Sequence, residues 1–387
     1  MNYLAEHFWS LETNCIDGQK LWDALQPYIQ RGELVVNEGK GDREGLKLVT
    51  YSKTYQYEHD KIPWDPLVQH CRGIIFDALD TLTPYHIVAL PFSKFFNYGE
   101  GGIHYPSEGA QIESIYEKVD GSLGIAFYWK GKWQITTRGS LNSDIGVVAQ
   151  EMLDKLLAKE RMTLDPKDTR LYEIIYPENR ICVNYGDVRE LVYLGRRNTR
   201  SGEVEYNAPS VVWRTPKKYT FENKDELLSW LNKQDGSQFE GVVAHFSDGS
   251  IFKFKSEDYM RLHRIIAQFT FKRVLEAVQK NEEEEIRKAL PEELLPEFDR
   301  FIDIINDKVK AIVRKVALVV ADAPKESRKE FALYLQQYYK GTEVLKYAFK
   351  YVDFNLDAAK LMEHILQSLR RDDFEVAENG NRDNIDS

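Results

Sequence analysis

Between Leu46 and Lys255 the sequence is a succession of short alternating or β-branched runs. GIIFD, HIVAL, LGIAFYW, WQITTRG, LYEIIY, RICVNY, LVYLG, GVVAHF and SIFKFK are divided by Gly, Pro, Asn and Asp at intervals too short for helices. Such runs at such spacing predict antiparallel sheets. Two hairpins are explicit: Leu123 to Trp129 and Trp133 to Gly139 around Lys130-Gly131-Lys132, and Gly241 to Phe246 and Ser250 to Lys255 around Ser247-Asp248-Gly249. After Ser256 the period changes. Ser256 is suited to cap a helix whose first turn holds Glu257 and Asp258, where acids suit the helix dipole. Phe301, Ile302, Ile305, Val309, Ile312, Val316, Val319 and Val320 then recur at three- and four-residue steps, the spacing of one apolar helical face.

The expected architecture is therefore α+β, an antiparallel-sheet domain followed by an all-α domain. A length of 387 residues exceeds what one core usually serves. Residues 1–260 should form the first domain, with an N-terminal subdomain of about 1–100. Residues 261–370 should form a helical domain, and 371–387 an acidic, frayed tail. No apolar run approaches the roughly 18 residues of a membrane span, so no membrane partner is expected. The N-terminal MNYLAEHFWSLETN lacks an export pattern, and Cys15, Cys71 and Cys182 lack metal or disulfide spacing, so an intracellular, cytoplasmic protein with reduced thiols is expected. The net charge of −10 is unevenly spread: residues 281–300 contribute −5 and residues 371–387 contribute −4. The rest is close to neutral, so a basic groove for nucleic acid is compatible with this composition.

Chemistry concentrates around YEKVDGSLGI, residues 116–125, where a lysine precedes a glycine turn and a strand-like run. A lysine amine acts as a nucleophile only once deprotonated, which nearby cations or burial favour. Lys253 and Lys255 supply such cations, and their two-residue spacing puts both on one strand face. Paired cations on a sheet face suit a phosphate; the alternative is a solvated lysine-rich strand. Glu173 in LYEIIYPENR points away from the face of Tyr172 and Ile174, and Glu240 precedes GVVAHF. Carboxylates beside a phosphate site make sense if a divalent cation bridges them or a ribose hydroxyl donates to them. Asp120 reads equally as a turn former, Phe95 and Phe96 as core, and GEGG, residues 99–102, as a turn.

The ordered series Lys118-Val119-Asp120-Gly121, Thr137-Arg138-Gly139-Ser140, Glu173, Leu191 to Arg197, Glu240-Gly241 and Lys253-Phe254-Lys255 resembles the nucleotidyltransferase motifs of covalent lysine ligases and capping enzymes. Gln69 to Phe76, Ser93 to Asn97 and Pro177 to Ile181 further resemble the phage RNA ligase 1 family, the tRNA-repair type of ATP-dependent RNA ligase. The resemblance covers roughly residues 45–260. It implies an antiparallel nucleotidyltransferase (ATP-grasp-like ligase) fold, ATP and Mg2+ or Mn2+ as cofactors, and RNA with 3′-OH and 5′-phosphate ends as partner. A nicked tRNA is the family's usual RNA, prepared by an end-healing kinase or phosphatase.

On the same basis Lys118 would be the catalytic lysine. Lys253 and Lys255 would neutralise the α-phosphate and lower the pKa of Lys118. Glu240, with Asp120 as a second candidate, would hold the metal, and Glu173 the ribose. Arg72, Lys94 and Arg138 would meet phosphates, and Glu117, Asp120 and Gly121 would complete the nucleotide site. Arg138 departs from the family, where lysine is frequent. Tyr259 would touch nucleotide or RNA, or serve as a core aromatic. Arg261, His263, Arg264, Lys272 and Arg273 could contact an RNA backbone or form a solvated helix face. A DNA ligase or a capping enzyme would continue after residue 260 in a β-barrel. A non-catalytic RNA-end-binding module should have lost one of Lys118, Glu240, Lys253 or Lys255; all four are present.

Overall fold

The structure is a computed structural model that describes residues 3–59, 62–80, 82–160, 164–207, 213–290, 294–324 and 326–374. It divides into two compact units, one reaching to His263 and one beginning at Arg264.

The first unit opens with a two-strand ladder, β1 (Trp9–Ser10) and β2 (Cys15–Ile16), and a sheet of β3 (Leu34–Glu38), β4 (Leu46–Tyr51), β5 (Arg72–Asp77) and β6 (His86–Ala89) in that order. The remaining strands are β7 (Phe96–Asn97), β8 (Ile112–Lys118), β9 (Ser122–Trp129), β10 (Lys132–Thr137), β11 (Asp168–Ile175), β12 (Glu190–Asn198), β13 (Val204–Tyr206), β14 (Lys218–Tyr219), β15 (Gly241–Phe246) and β16 (Ile251–Lys255). They form two five-stranded sheets, ordered β10-β9-β11-β12-β13 and β14-β8-β15-β16-β7. All pairs are antiparallel except β16 with β7.

Both hairpins form. In the first, Lys132 pairs with Trp129, so the turn is only Lys130-Gly131, each at positive φ (47° and 82°). That is the two-residue connection whose twist matches the strands. The sheet of β3 to β6 and the sheet of β9 to β13 share one core, Leu48, Ile75 and Val88 packing with Ile125, Phe127 and Leu171, and each buries its other face in a separate cluster. Ile115, Val242, Ala244, Phe252 and Phe254 pack with Leu227 and Leu231 of the helix Lys224–Leu231. Tyr172 and Ile174 pack in another cluster with Ala126, Ile135 and Leu191, which leaves Glu173 on the opposite face as the alternation requires.

The second unit is helical. Its long helix, Leu295–Asp322, buries Phe301, Ile305, Val309, Ile312, Val316, Val319 and Val320, while Ile302 is partly buried. Helices Phe271–Lys280, Glu343–Asp353 and Ala358–Ser368 pack on that face. Among the described residues no strand follows Lys255, so the β-barrel of the DNA-ligase and capping alternatives is not seen there. The tail differs from expectation at its start: Arg371–Asp373 form a turn and Phe374 is buried, its ring 4.9 Å from that of Phe271. An aromatic side chain overrides the local charge there; the rest of the tail lies outside the described residues. Among those residues no helix is long and apolar enough to cross a membrane.

Candidate active site

Register assembles the centre of the site. Gly241 on β15 lies opposite Lys118 on β8 and opposite Lys255 on β16. One step along, Val243 lies opposite Tyr116 and Lys253. The lysines therefore flank a residue without a side chain, and they share one sheet face. Glycine is required: a Cβ at Gly241 would lie 2.1 Å from the Phe254 carbonyl oxygen.

Glu240, just before Gly241, is almost fully buried between the two lysines. Lys118 Nζ donates to its Oε2 at 2.8 Å, and Lys255 Nζ stands 3.1 Å from Oε1, an ion pair without hydrogen-bond alignment. Burial alone would raise the Glu240 pKa, but Lys118 and Lys255 hold it below the ordinary value. For Lys118 burial works downward, and Glu240, Glu173 and Asp120 outweigh it, so its pKa lies above the ordinary lysine value. This corrects the sequence expectation that Lys253 and Lys255 depress it. The reason is that carboxylates are buried along with the amine. The depressed group is Lys253: burial, then Lys118, Arg72, Lys255 and Lys94, push it well below the usual range. It makes no ion pair among the described residues, and its Nζ lies 5.2 Å above the ring of Phe95.

Arg72, Glu117, Lys118, Glu173 and Lys253 all line one narrow cleft of about 80 Å³, with His245 among its other walls. Glu173 is buried there, and burial, opposed by Lys118, raises its pKa to about 7. Gly121 is what lets the turn after Lys118 close on β11, because a Cβ there would lie 2.6 Å from Ile174 O and 3.1 Å from Glu173 Cγ. Glu117 accepts from Lys217 N at 3.3 Å and lies 3.8 Å from Arg214, so its carboxylate is engaged at the rim.

Asp120 has a different setting from a metal ligand. Its Oδ2 accepts from the backbone N–H groups of Cys182 and Val183 at 2.9 and 2.8 Å, and its Oδ1 accepts from Tyr259 OH at 2.8 Å. Both oxygens are thus occupied, and Asp120 ties the lysine turn to the 182–183 loop and to the helix Glu257–Gln268. Tyr259 is fully buried, and Ser256 caps its helix by accepting from Tyr259 N at 3.0 Å. Asp120 is pushed up to about 6, by burial first and Glu240 next.

These two raised carboxyls have a consequence for stability. An unfolded chain releases both protons near pH 4, at the ordinary values of 3.8 and 4.5, whereas the folded one keeps them to about 6 and 7. The folded state binds more protons in between, so their contribution is fully present below about pH 4 and is lost as pH rises through 7. Glu173→Gln should flatten urea-unfolding stability over that range and raise it near neutrality by up to about 3 kcal/mol. An unchanged pH profile would contradict the assignment.

A second cationic group was only partly legible. Arg138 donates to Tyr51 OH at 2.7 Å, and Arg138, Lys94 and Arg72, against burial, hold the Tyr51 pKa below the ordinary value. Lys94 Nζ lies 4.8 Å from the Trp64 ring and 5.1 Å from that of Phe96, and burial is the first cause that lowers its pKa. Tyr51, at the end of β4, escaped sequence reasoning because a strand tyrosine reads as core. Only its neighbours in space mark it. Arg261 pairs with Asp258 at 2.7 Å and Lys272 lies 3.9 Å from Glu276, the ion pairs of a solvated helix face. Among the described residues no group of three or more His, Cys, Asp or Glu side chains could hold a metal ion.

A largely buried lysine bracketed by cations and carboxylates at the wall of a cleft is an arrangement suited to handling phosphate. The chain belongs to the RNA ligase family, whose model matches residues 70–272. It is 26% identical over 221 residues to a predicted bifunctional polynucleotide kinase/RNA ligase of Autographa californica nuclear polyhedrosis virus, a match covering 51% of this chain and 31% of that protein. It is 28% identical over 217 residues to a predicted RNA ligase of Thermovibrio ammonificans, covering 51% of this chain and 54% of that one. The matched part thus spans about half or less of those two relatives. An RNA ligase of Rhodothermus phage RM378 aligns at 22% identity over 88% of this chain and 90% of its own. Among solved structures, an archaeal ATP-dependent RNA ligase aligns with 81% of this chain and 85% of its own at 14% identity and a TM-score of 0.41, too distant for a residue-level argument.

Proposed function

We propose that this chain is an ATP-dependent RNA ligase that joins a 3′-OH to a 5′-phosphate. The observation that carries the reading is the bridge Lys118–Glu240–Lys255, centred on a buried carboxylate, whose Lys118 lines one cleft with Lys253 and Arg72. The Lys118 amine attacks the α-phosphorus of ATP. A phosphoramidate N–P bond forms, the bond to the β-phosphate oxygen breaks, and pyrophosphate leaves. The AMP then passes to an RNA 5′-phosphate, freeing the lysine. A 3′-OH finally attacks that activated phosphate, forming the phosphodiester and releasing AMP.

Lys253 and Lys255 neutralise the charge that grows on the α-phosphate, the kind of preorganised electrostatics that contributes most in phosphoryl transfer. Glu173 accepts from the ribose, and Arg72, Lys94 and Arg138 meet the β- and γ-phosphates or the RNA phosphate. Asp120 holds the lysine turn in place, and Glu117 and Gly121 shape the nucleotide site. Glu240 keeps Lys118 charged and oriented until its proton is released.

A Mg2+ or Mn2+ ion would be shared between the nucleotide phosphates and Glu240, whose oxygens face Lys118 and Lys255 in the free protein, with Glu173 the carboxylate that lines the cleft itself and no all-protein cage among the described residues. When bound it supplies charge neutralisation.

The RNA is proposed to be a broken strand such as a nicked tRNA. A kinase or phosphatase would prepare its ends, as the joint name of the baculovirus relative suggests. The test is a 5′-³²P, 3′-OH single-stranded RNA incubated with ATP and Mg2+. The expected result is ATP-dependent conversion of the label to a phosphatase-resistant, circular or lengthened form. Absence of such product with folded protein and varied RNA would reject the reading.

A further inference from the structure

A second groove, of about 690 Å³, adjoins the nucleotide cleft and shares Phe95, Tyr206 and Ile251 with it. Its size falls within the roughly 300–1,000 Å³ of ligand sites. Two features distinguish it from a packing defect. It is walled by rings: Trp64, Phe95, Phe96 and Tyr105 line it, and Tyr105 is 52% exposed at the rim. It is also lined by two buried cations, Lys94 and Arg197, which are 8% and 2% exposed.

Neither cation has a carboxylate within ion-pair distance among the described residues; Glu100 acts on Lys94 only from further away, and the rings of Tyr51, Trp64 and Phe96 lie beside its amine. Arg197 donates to the carbonyl oxygens of Gly202 and Pro91 at 3.1 and 3.0 Å, contacts that orient the guanidinium without balancing its charge. His70 Nδ1 lies 3.5 Å from it, and burial pushes His70 down to about 3, so that ring is neutral. Glu203 is the acidic side chain in the lining, and it lies at the exposed rim. Burying a charge without a counter-charge is costly, so the groove is built to receive an anion. Aromatic walls around an anion site suit a phosphate chain that carries flat bases.

Resting on the ligase reading, we propose that this groove binds the single-stranded RNA next to the end being joined, its phosphates against Arg197 and Lys94 and an unpaired base against Tyr105. The shared wall at Phe95 and Ile251 leads that strand directly into the cleft that holds Lys118. The same phosphate chemistry could come instead from the triphosphate tail of the nucleotide, and the experiment separates the two sources.

Tyr105→Ala, Tyr105→Phe and Arg197→Gln are compared with wild type. Fluorescence anisotropy measures binding of a labelled oligoribonucleotide across a salt series, and self-adenylylation is measured against ATP concentration. Tyr105→Ala should weaken RNA binding about 5- to 100-fold, the range for losing one stacked base. Tyr105→Phe should restore it, and neither change should alter the ATP dependence of adenylylation. Arg197→Gln should lower the salt slope by about 0.7, one phosphate for a single strand. RNA affinity and slope equal to wild type in all variants would overturn the proposal. So would an unchanged RNA affinity with a raised KM for ATP, which would hand the groove to the triphosphate. If wild type binds RNA through Tyr105 yet never self-adenylylates, the groove stands and the ligase reading falls.

Discussion

Replacing Lys118 with alanine should abolish formation of the covalent enzyme–AMP and, with it, ATP-dependent sealing, a loss of at least about 10⁴-fold. Neither neighbouring lysine is expected to substitute. Lys255 is paired to Glu240, and Lys253 sits one step along the sheet from Lys118, in the row of Tyr116 and Val243. Removing a nucleophile ordinarily leaves only the contribution of the remaining machinery, so non-additive residual rates come from binding and electrostatics alone. The variant should keep sealing RNA that already carries a 5′-adenylate, because that last step uses the phosphate site and not the lysine nitrogen. Gel assays with ATP and with pre-adenylylated RNA separate the two outcomes. Equal loss in both, with the fold intact by circular dichroism, would move Lys118 from nucleophile to scaffold.

Glu240 carries the second large effect. Glu240→Ala should leave the part-buried Lys118 and Lys255 without their shared carboxylate, and since breaking a fully buried pair on one side costs about 3–5 kcal/mol, a loss of up to about 3 kcal/mol is expected here. Urea unfolding measures that loss. Glu240→Gln keeps the volume and is the better probe of chemistry. Because Glu240 is the first carboxylate holding the Lys118 pKa up, its neutralisation lets that pKa fall. The pH at which adenylylation reaches half its maximum should therefore move to lower pH, while the maximal rate falls about 10²–10³-fold as the charge arrangement around the phosphate is lost. A profile displaced to higher pH, or not displaced, would contradict the role given to this carboxylate.

How much of this was readable beforehand depends on the range of the interactions. Lys253 and Lys255 were legible because strand alternation is local: two residues apart means one face. The placement of Glu173 was legible for the same reason. Glu240 could be pointed to by motif resemblance, but its contact with two lysines arises from register between β8, β15 and β16, a long-range property that no local pattern encodes. The direction of the Lys118 pKa was misjudged from sequence because cations were counted and buried carboxylates were not. Asp120, read as a turn former or metal ligand, proved to be bonded across 62, 63 and 139 residues of chain. Tyr51 went unnoticed as a site residue, and Arg197 entered only as the last residue of a motif segment, since an aromatic or an arginine on a strand has many bland explanations until its neighbours are known. The helical unit was legible in its main helix from three- and four-residue apolar spacing, whereas the packed turn ending in Phe374 was hidden behind an acidic composition.

The most direct measurement is mass spectrometry of the protein after incubation with ATP and Mg2+. The intact protein should gain a single adenylyl group, and the digest should place it on the peptide bearing Lys118. Folded protein that gains no adenylyl group, or gains it on another residue, would contradict the account.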